Sequence, residues 1–166
     1  MNVRYLALVA AAGTIALGAC KDFTGGSTIT CTTAAPTITS VKGDTTTLNV
    51  GVRYLDPTVG TGATVAICQQ VTVDYSLRVA GRDTAYDTST GGSPAVFVAG
   101  AGQTQLPGLE LGVVGMKVGG TRRLIIPPSL AYGSVDAHDA KGNVVVPANS
   151  TIIADITMRA VTAVNQ

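Results

Sequence analysis

Few groups in this chain are equipped for covalent or metal chemistry. His138 is the only histidine. With no second or third ligand near it, a His/Cys zinc site has too few donors, and it reads as a solvated loop residue. No Gly-x-Ser-x-Gly elbow is present and no triad spacing recommends any of the serines as a nucleophile. Cys20, Cys31 and Cys68 form no C-x-x-C pair, which argues against a thioredoxin-like redox centre. Asp136 and Asp139 could act as paired carboxylates, but their segment is polar and has no apolar wall to raise either pKa. Gly60-Thr61-Gly62 and Gly100-Ala101-Gly102 lack the third glycine of a dinucleotide fingerprint, so they read as turns. Tyr132 follows Pro127-Pro128 in a loop-like stretch, where a large aromatic more often serves function than in a strand. Taken alone, Tyr75 reads as packing on the apolar face of a strand, and Asp87 before Thr88-Ser89 as a turn aspartate.

The elements that must hold these residues are mainly strands. The 166 residues carry 11 Lys plus Arg against 10 acids, so no cationic footprint for nucleic acid is present. The 46% apolar share can bury one core, and the 13% charged share with abundant Gly and Thr points to a β or α+β fold. Alternation predicts a strand from Leu48 through Val50, Val52 and Tyr54, ended by Asp56-Pro57. A clearer one puts Val71, Val73, Tyr75, Leu77 and Val79 on one face. Val96–Val98 and Arg123–Ile126 are shorter candidates, and Ile152, Ala154, Ile156, Met158 and Ala160 form one face of a long final strand. One segment predicts a helix of two to three turns: Pro107 near its first turn, Leu109, Val113 and Met116 along one side, and Gly119-Gly120 beyond. The expected architecture is α+β, a curved antiparallel β-sheet wrapped around one short α-helix.

The N-terminus reads as an address. Arg4 precedes an apolar stretch over residues 5–17, too short and too interrupted by Gly13-Thr14 for a transmembrane helix, and Leu17-Gly18-Ala19-Cys20 closes it. These four residues resemble the bacterial lipobox. The resemblance implies lipidation of Cys20, cleavage after residue 19, and anchoring in the cell envelope, with Lys21 favouring the outer membrane. Residues 1–19 are then a signal peptide, 20–44 a Thr/Ser/Gly-rich tether, and 45–166 the folded domain. In an oxidising compartment Cys31 and Cys68 are expected to pair, although two free thiols remain the alternative.

The run Gly108-Leu109-Glu110-Leu111-Gly112-Val113-Val114-Gly115-Met116-Lys117-Val118-Gly119-Gly120-Thr121-Arg122-Arg123-Leu124-Ile125-Ile126-Pro127-Pro128-Ser129-Leu130-Ala131-Tyr132-Gly133 resembles the FKBP-type peptidyl-prolyl isomerases. Val73-Asp74-Tyr75, Tyr86-Asp87-Thr88-Ser89 and the stretch Val146–Ile156 support it in the same order. The resemblance covers about residues 60–161 and implies a proline pocket bounded by Tyr75, Tyr86, Asp87 and Tyr132, with Leu106, Leu109, Val145, Val146 and Ala154 around it. Tyr132 would donate to a substrate carbonyl, and Asp87 would orient the rim. The implied partners are proline-containing exported polypeptides, bound by a monomer without cofactor, metal or nucleic acid.

Three aromatics usual in the family are absent. Leu109 stands where a Trp forms the floor, and Ala95 and Ala154 stand at two Phe positions of the wall. These departures imply a wider, weaker pocket, with a void at Ala154 unless the polar segment 134–144 folds in; that segment is expected to stay at the rim. They also keep open a second reading, a non-catalytic chaperone or binding scaffold on the same fold.

Overall fold

The computed structural model of the chain describes residues 34–89 and 92–163, together with the backbone of two short strands, β1 (Ala19–Lys21) and β2 (Thr28–Thr30), which pair antiparallel. The remaining strands are β3 (Ile38–Lys42), β4 (Thr45–Leu48), β5 (Arg53–Thr58), β6 (Gln69–Val79), β7 (Asp87–Thr88), β8 (Ala95–Val98), β9 (Thr121–Ile126), β10 (Ala137–His138), β11 (Val144–Val146) and β12 (Ile152–Ala163). Eight of them form one antiparallel sheet in the order β3-β4-β5-β9-β12-β6-β7, with β8 also paired to β6. One short helix, α1 (Pro107–Gly112), packs against β9. This is the expected antiparallel sheet with a single short helix among the described residues. No helix there is long and apolar enough to cross a membrane. Of the leader read over residues 1–19, residues 1–18 lie outside the described residues.

The core follows the two-residue period. Val71, Val73, Leu77 and Val79 of β6 face Leu124 and Ile126 of β9 and Ile152, Ala154, Ile156 and Met158 of β12 in one buried cluster. Val113 and Met116, beyond the end of α1, join it.

Four elements depart from the periodicity. The Leu48–Tyr54 run is a hairpin and not one strand: Gly51 takes φ +90, its N–H donates to the Leu48 carbonyl at 2.9 Å, and the chain reverses between β4 and β5. Asp56-Pro57 does not end β5. The pairing with β9 is irregular between Leu55 and Thr58, and this gap accommodates Pro57, which has no N–H to offer a ladder. In β12 a bulge between Met158 and Ala160 changes the phase, so Ala160 is exposed while Val161 packs toward the core. Finally, residues 38–42, placed in the tether by composition, form the outermost strand of the sheet, so the folded domain begins before residue 45.

The helix is also shorter than its apolar spacing implied. It ends at Gly112; Val113 is its C-cap, donating to the Leu109 carbonyl, and Gly115 at φ +81 turns the chain away. Its glycines serve close packing. A Cβ on Gly108 would sit 2.4 Å from Ile126 Cγ2 and 3.1 Å from the Leu130 Cβ, and one on Gly112 would sit 2.7 Å from Leu124 Cδ1. Spaced four apart on one side of the helix, the two glycines let it lie directly on β9.

The carbonyls left open at its C-terminus are met by Arg122, only 4% exposed. Arg122 Nη1 donates to the Gly112 carbonyl at 2.8 Å and the Val114 carbonyl at 3.0 Å. Its other edge pairs with Asp56 in a fork of 2.6 and 2.8 Å, and its plane lies 3.9 Å from the Tyr54 ring centroid.

Candidate functional site

A cleft of about 260 Å³ opens between β6, β8, the start of α1 and the loop after β9. Its apolar lining is Leu77, Phe97, Leu106 and Leu109, each 4–6% exposed, with Ala95 and Val96 beside them. Its polar lining is Tyr75, Asp87, Tyr132, Thr104 and Gln105.

Each polar group is held by the backbone architecture. Asp87 lies on β7 opposite Leu77. The residues that follow it clamp β6 at Tyr75: the Thr88 hydroxyl donates to the Tyr75 carbonyl at 3.0 Å, and Ser89 Oγ accepts from the Tyr75 N–H at 2.9 Å. Thr88-Ser89 therefore fixes the pairing that places Tyr75 and Asp87 side by side. The Tyr75 hydroxyl then donates to both Asp87 oxygens, at 3.2 and 3.3 Å. Burial, followed by the Asp87 charge, raises the Tyr75 phenol above its usual range.

Tyr132 is presented by a tight turn. Pro127-Pro128 opens it, the Ala131 and Gly133 N–H groups both fold back to the Pro128 carbonyl, and Gly133 at φ +65 supplies the left-handed conformation that ends it. Asn149 donates to the Gly133 carbonyl at 2.7 Å and ties this turn to the segment before β12. Tyr86 packs against Tyr132 and is not part of the lining. Their rings meet edge to face at 6.3 Å and 68°, and their hydroxyls are 3.4 Å apart. Burial first, then the hydrogen bond to Tyr132, pushes the Tyr86 phenol far up.

The last wall is a loop held from inside the protein. Glu110, 1% exposed, accepts the Gly102 and Thr104 N–H groups at 2.6 Å each. The Thr104 hydroxyl in turn accepts the Leu106 N–H at 3.3 Å. The segment that brings Thr104, Gln105 and Leu106 to the cleft is thus anchored to the first turn of α1. No sequence signal marked Glu110 for this beyond its place early in the helix.

Of the residues expected at a pocket, the structure brings Tyr75, Asp87, Tyr132, Leu106 and Leu109 into one cleft, with Tyr86 against Tyr132. Val145, Val146 and Ala154 are not in its lining. Ala154 is fully buried in the central strand between Leu77 and Leu124, a core position and not a wall, and Val146 is likewise fully buried. Val145 packs on the core from β11. The wall that Ala154 cannot supply comes from Leu77 and Phe97. Both were legible by alternation, two residues after Tyr75 and two after Ala95, but neither was singled out. Segment 134–144 does not enter the cleft: β10 and β11 fold it into a hairpin, with Asp139 accepting the Lys141 and Asn143 N–H groups at its tip. His138 is exposed on that hairpin. Cys68 is disulfide-bonded, while Cys31, its expected partner, lies outside the described residues. No cluster suited to a metal ion is found among the described residues.

Comparison with known proteins gives this arrangement a context. The chain is 42% identical over 108 residues to "FK506-binding protein 4" of Gibberella zeae, covering 65% of the chain and 20% of that protein. It is 39% identical over 125 residues to the chloroplastic "Peptidyl-prolyl cis-trans isomerase FKBP16-4" of Arabidopsis thaliana, covering 70% of the chain and 51% of that protein. The chain therefore spans from a fifth to about half the length of these relatives. Among solved structures, a peptidyl-prolyl cis-trans isomerase from Pseudomonas syringae superposes with a TM-score of 0.61 at 26% identity, over 73% of this chain and 83% of that one. FkpA from Escherichia coli superposes with a TM-score of 0.58 at 27% identity, over 75% and 54%. Residues 62–159 match the family model described as FKBP-type peptidyl-prolyl cis-trans isomerase, and the chain belongs to that family.

Proposed function

We propose that this chain catalyses cis–trans interconversion of peptide bonds preceding proline in exported polypeptides, working as a monomer held at the cell envelope through lipidated Cys20. The observation that carries the catalytic part is the cleft itself, lined on its apolar side by Leu77, Phe97, Leu106 and Leu109, with Tyr75, Asp87 and Tyr132 among its polar groups. A prolyl amide resists rotation by about 18–20 kcal/mol because resonance keeps it planar and charge-separated. Water stabilises that separation, and the twisted state has less of it. Moving the bond into a dry hollow therefore costs the planar form more than the twisted one, and ~4 kcal/mol of difference is a thousandfold in rate.

Hydrogen bonding has to respect the same logic. A donor on the carbonyl conjugated to the rotating bond would strengthen resonance and slow rotation. Tyr132 accordingly grips a neighbouring substrate carbonyl, fixing the chain on one side of the bond while the pyrrolidine sits on Leu109. Asp87, bonded to Tyr75, keeps that ring upright at the entrance.

A protease-coupled prolyl peptide assay tests this reading. Acceleration by the wild-type chain, reduced about tenfold by Asp87→Ala and by Tyr132→Phe, is the expected result. A wild-type rate equal to buffer would leave a binding scaffold as the better description. The envelope part rests on Leu17-Gly18-Ala19-Cys20 and is tested separately. Mass spectrometry of membrane-extracted protein should find residues 1–19 removed and Cys20 acylated; an unmodified Cys20 in a soluble fraction would refute the anchor.

A further inference from the structure

We propose that Tyr86 is a positioning residue whose hydroxyl donates to the Tyr132 hydroxyl, so that the Tyr132 proton is left to bind a substrate carbonyl. This rests on the isomerase reading above and adds a residue that does not line the cleft. A phenol has one proton to give and two lone pairs to receive with. Of the three tyrosines here, Tyr75 spends its proton on Asp87. The Tyr86 hydroxyl has a single hydrogen-bond partner among the described residues, the Tyr132 oxygen at 3.4 Å. If Tyr132 donated inward, its proton would be consumed and the cleft would present only a lone pair, which a peptide carbonyl cannot use. With Tyr86 as donor, every proton is placed: Tyr86 to Tyr132, and Tyr132 to substrate.

Two features favour this direction. The Tyr86 phenol is half-buried against Tyr132, and desolvation together with the Tyr132 hydrogen bond keeps it in its neutral, proton-bearing form. The edge-to-face contact of the two rings fixes their relative orientation independently of the hydroxyls. A donor that is itself receiving a hydrogen bond is polarised and donates more strongly, and the 3.4 Å separation leaves room to tighten when substrate takes the outer proton.

The experiment uses the full chain labelled with ¹³C at tyrosine Cζ, compared among wild type, Tyr86→Phe, Tyr132→Phe and the double variant. Tyr86→Phe keeps the ring and its edge contact and deletes only the hydroxyl. It should shift the Tyr132 Cζ resonance, leave Tm unchanged, and lower kcat/KM about fivefold, the worth of one hydrogen bond. In the Tyr132→Phe background the same change should have no further effect on kcat/KM. An unmoved Tyr132 resonance, or losses that multiply in the double variant, would overturn the proposal. Should the wild-type chain prove inactive, the isomerase reading fails and the sense of the Tyr132 Cζ shift decides the relay: a downfield move upon Tyr86→Phe, as loss of an accepted hydrogen bond gives, supports it, and an upfield move or no move overturns it.

Discussion

Asp87 and Tyr75 hold each other at the entrance of the cleft, and burial raises the phenols of Tyr75 and of Tyr86, which packs on Tyr132, above the ordinary tyrosine value of 10.0. A phenol whose folded-state pKa is raised contributes stability that is complete below its unfolded value and is lost as pH climbs through the folded one. Two outcomes follow at this scale. The phenols stay neutral and donating between about pH 6 and 9, so they impose no pH dependence on kcat/KM there, measured by the prolyl peptide assay. Urea denaturation followed by tyrosine fluorescence should show stability falling only above about pH 10, with Tyr86→Phe reducing that alkaline loss. Another substitution probes the thinned wall. Ala95 is half-buried and lines the cleft, so Ala95→Phe has open volume to occupy. It should lower KM for a prolyl peptide about fivefold while leaving Tm unchanged, since ring burial contributes roughly 1 kcal/mol. A raised KM would mean that the wall is already complete.

At the scale of elements, two buried charges tie the short helix to its surroundings. Arg122 satisfies carbonyls at the end of α1 and pairs with Asp56, and Glu110 secures the loop entering it. Replacing Arg122 with Met strands Asp56 and those carbonyls together; urea melts should show a loss of about 3 kcal/mol, with faster amide exchange at the end of α1. Glu110→Gln leaves one acceptor oxygen where two N–H groups need one each. It should loosen residues 102–106 and raise KM more than it lowers kcat, with α1 itself intact by amide exchange. The sequence made β6 and the first half of β12 plain because each turns one face to the core, interrupted only at Tyr75, which lines the cleft. It misjudged α1, where apolar spacing continues through Val113 and Met116 although Gly115 has already turned the chain; those residues reach the core from a turn. It merged β4 with β5 because the alternation of Leu48, Val50, Val52 and Tyr54 survives a hairpin at Gly51. The role of Gly108 and Gly112 depends on what lies across from them, which no local pattern reveals.

Across the whole molecule, one sheet joins residues far apart in the chain into a single cleft. β6 brings Tyr75, β7 Asp87, β8 Phe97, α1 Leu109, and the turn after β9 Tyr132. The opposite face of the sheet carries an ion-pair ladder, with Asp155 bonded to Arg123 at 2.5 and 3.0 Å and to Arg78 at 2.8 Å. Burial alone would raise the Asp155 pKa, yet hydrogen bonds from Arg123 and Arg78 hold it below the usual 3.8. A depressed carboxylate contributes stability above its unfolded value and loses it as pH falls below, so acid titration of Tm should show a loss beginning under about pH 4 that Asp155→Asn diminishes. Tyr75, Asp87 and Tyr132 were readable from Val73-Asp74-Tyr75, from Tyr86-Asp87-Thr88-Ser89 and from the run through Tyr132, while Thr104 and Gln105 were not. Of its apolar wall, Leu106 and Leu109 were readable in the same way, whereas Leu77 and Phe97 were not, and Ala154, Val145 and Val146, expected there, do not line it. The most direct test is two-dimensional exchange NMR of a short Ala-Pro peptide with a catalytic amount of the full chain. Cross-peaks between cis and trans forms, accelerated at least about a hundredfold over buffer and accompanied by NOEs from the pyrrolidine to Leu109 and Phe97, are the predicted result. NOEs without acceleration, or acceleration with the ring contacting residues outside the cleft, would contradict it.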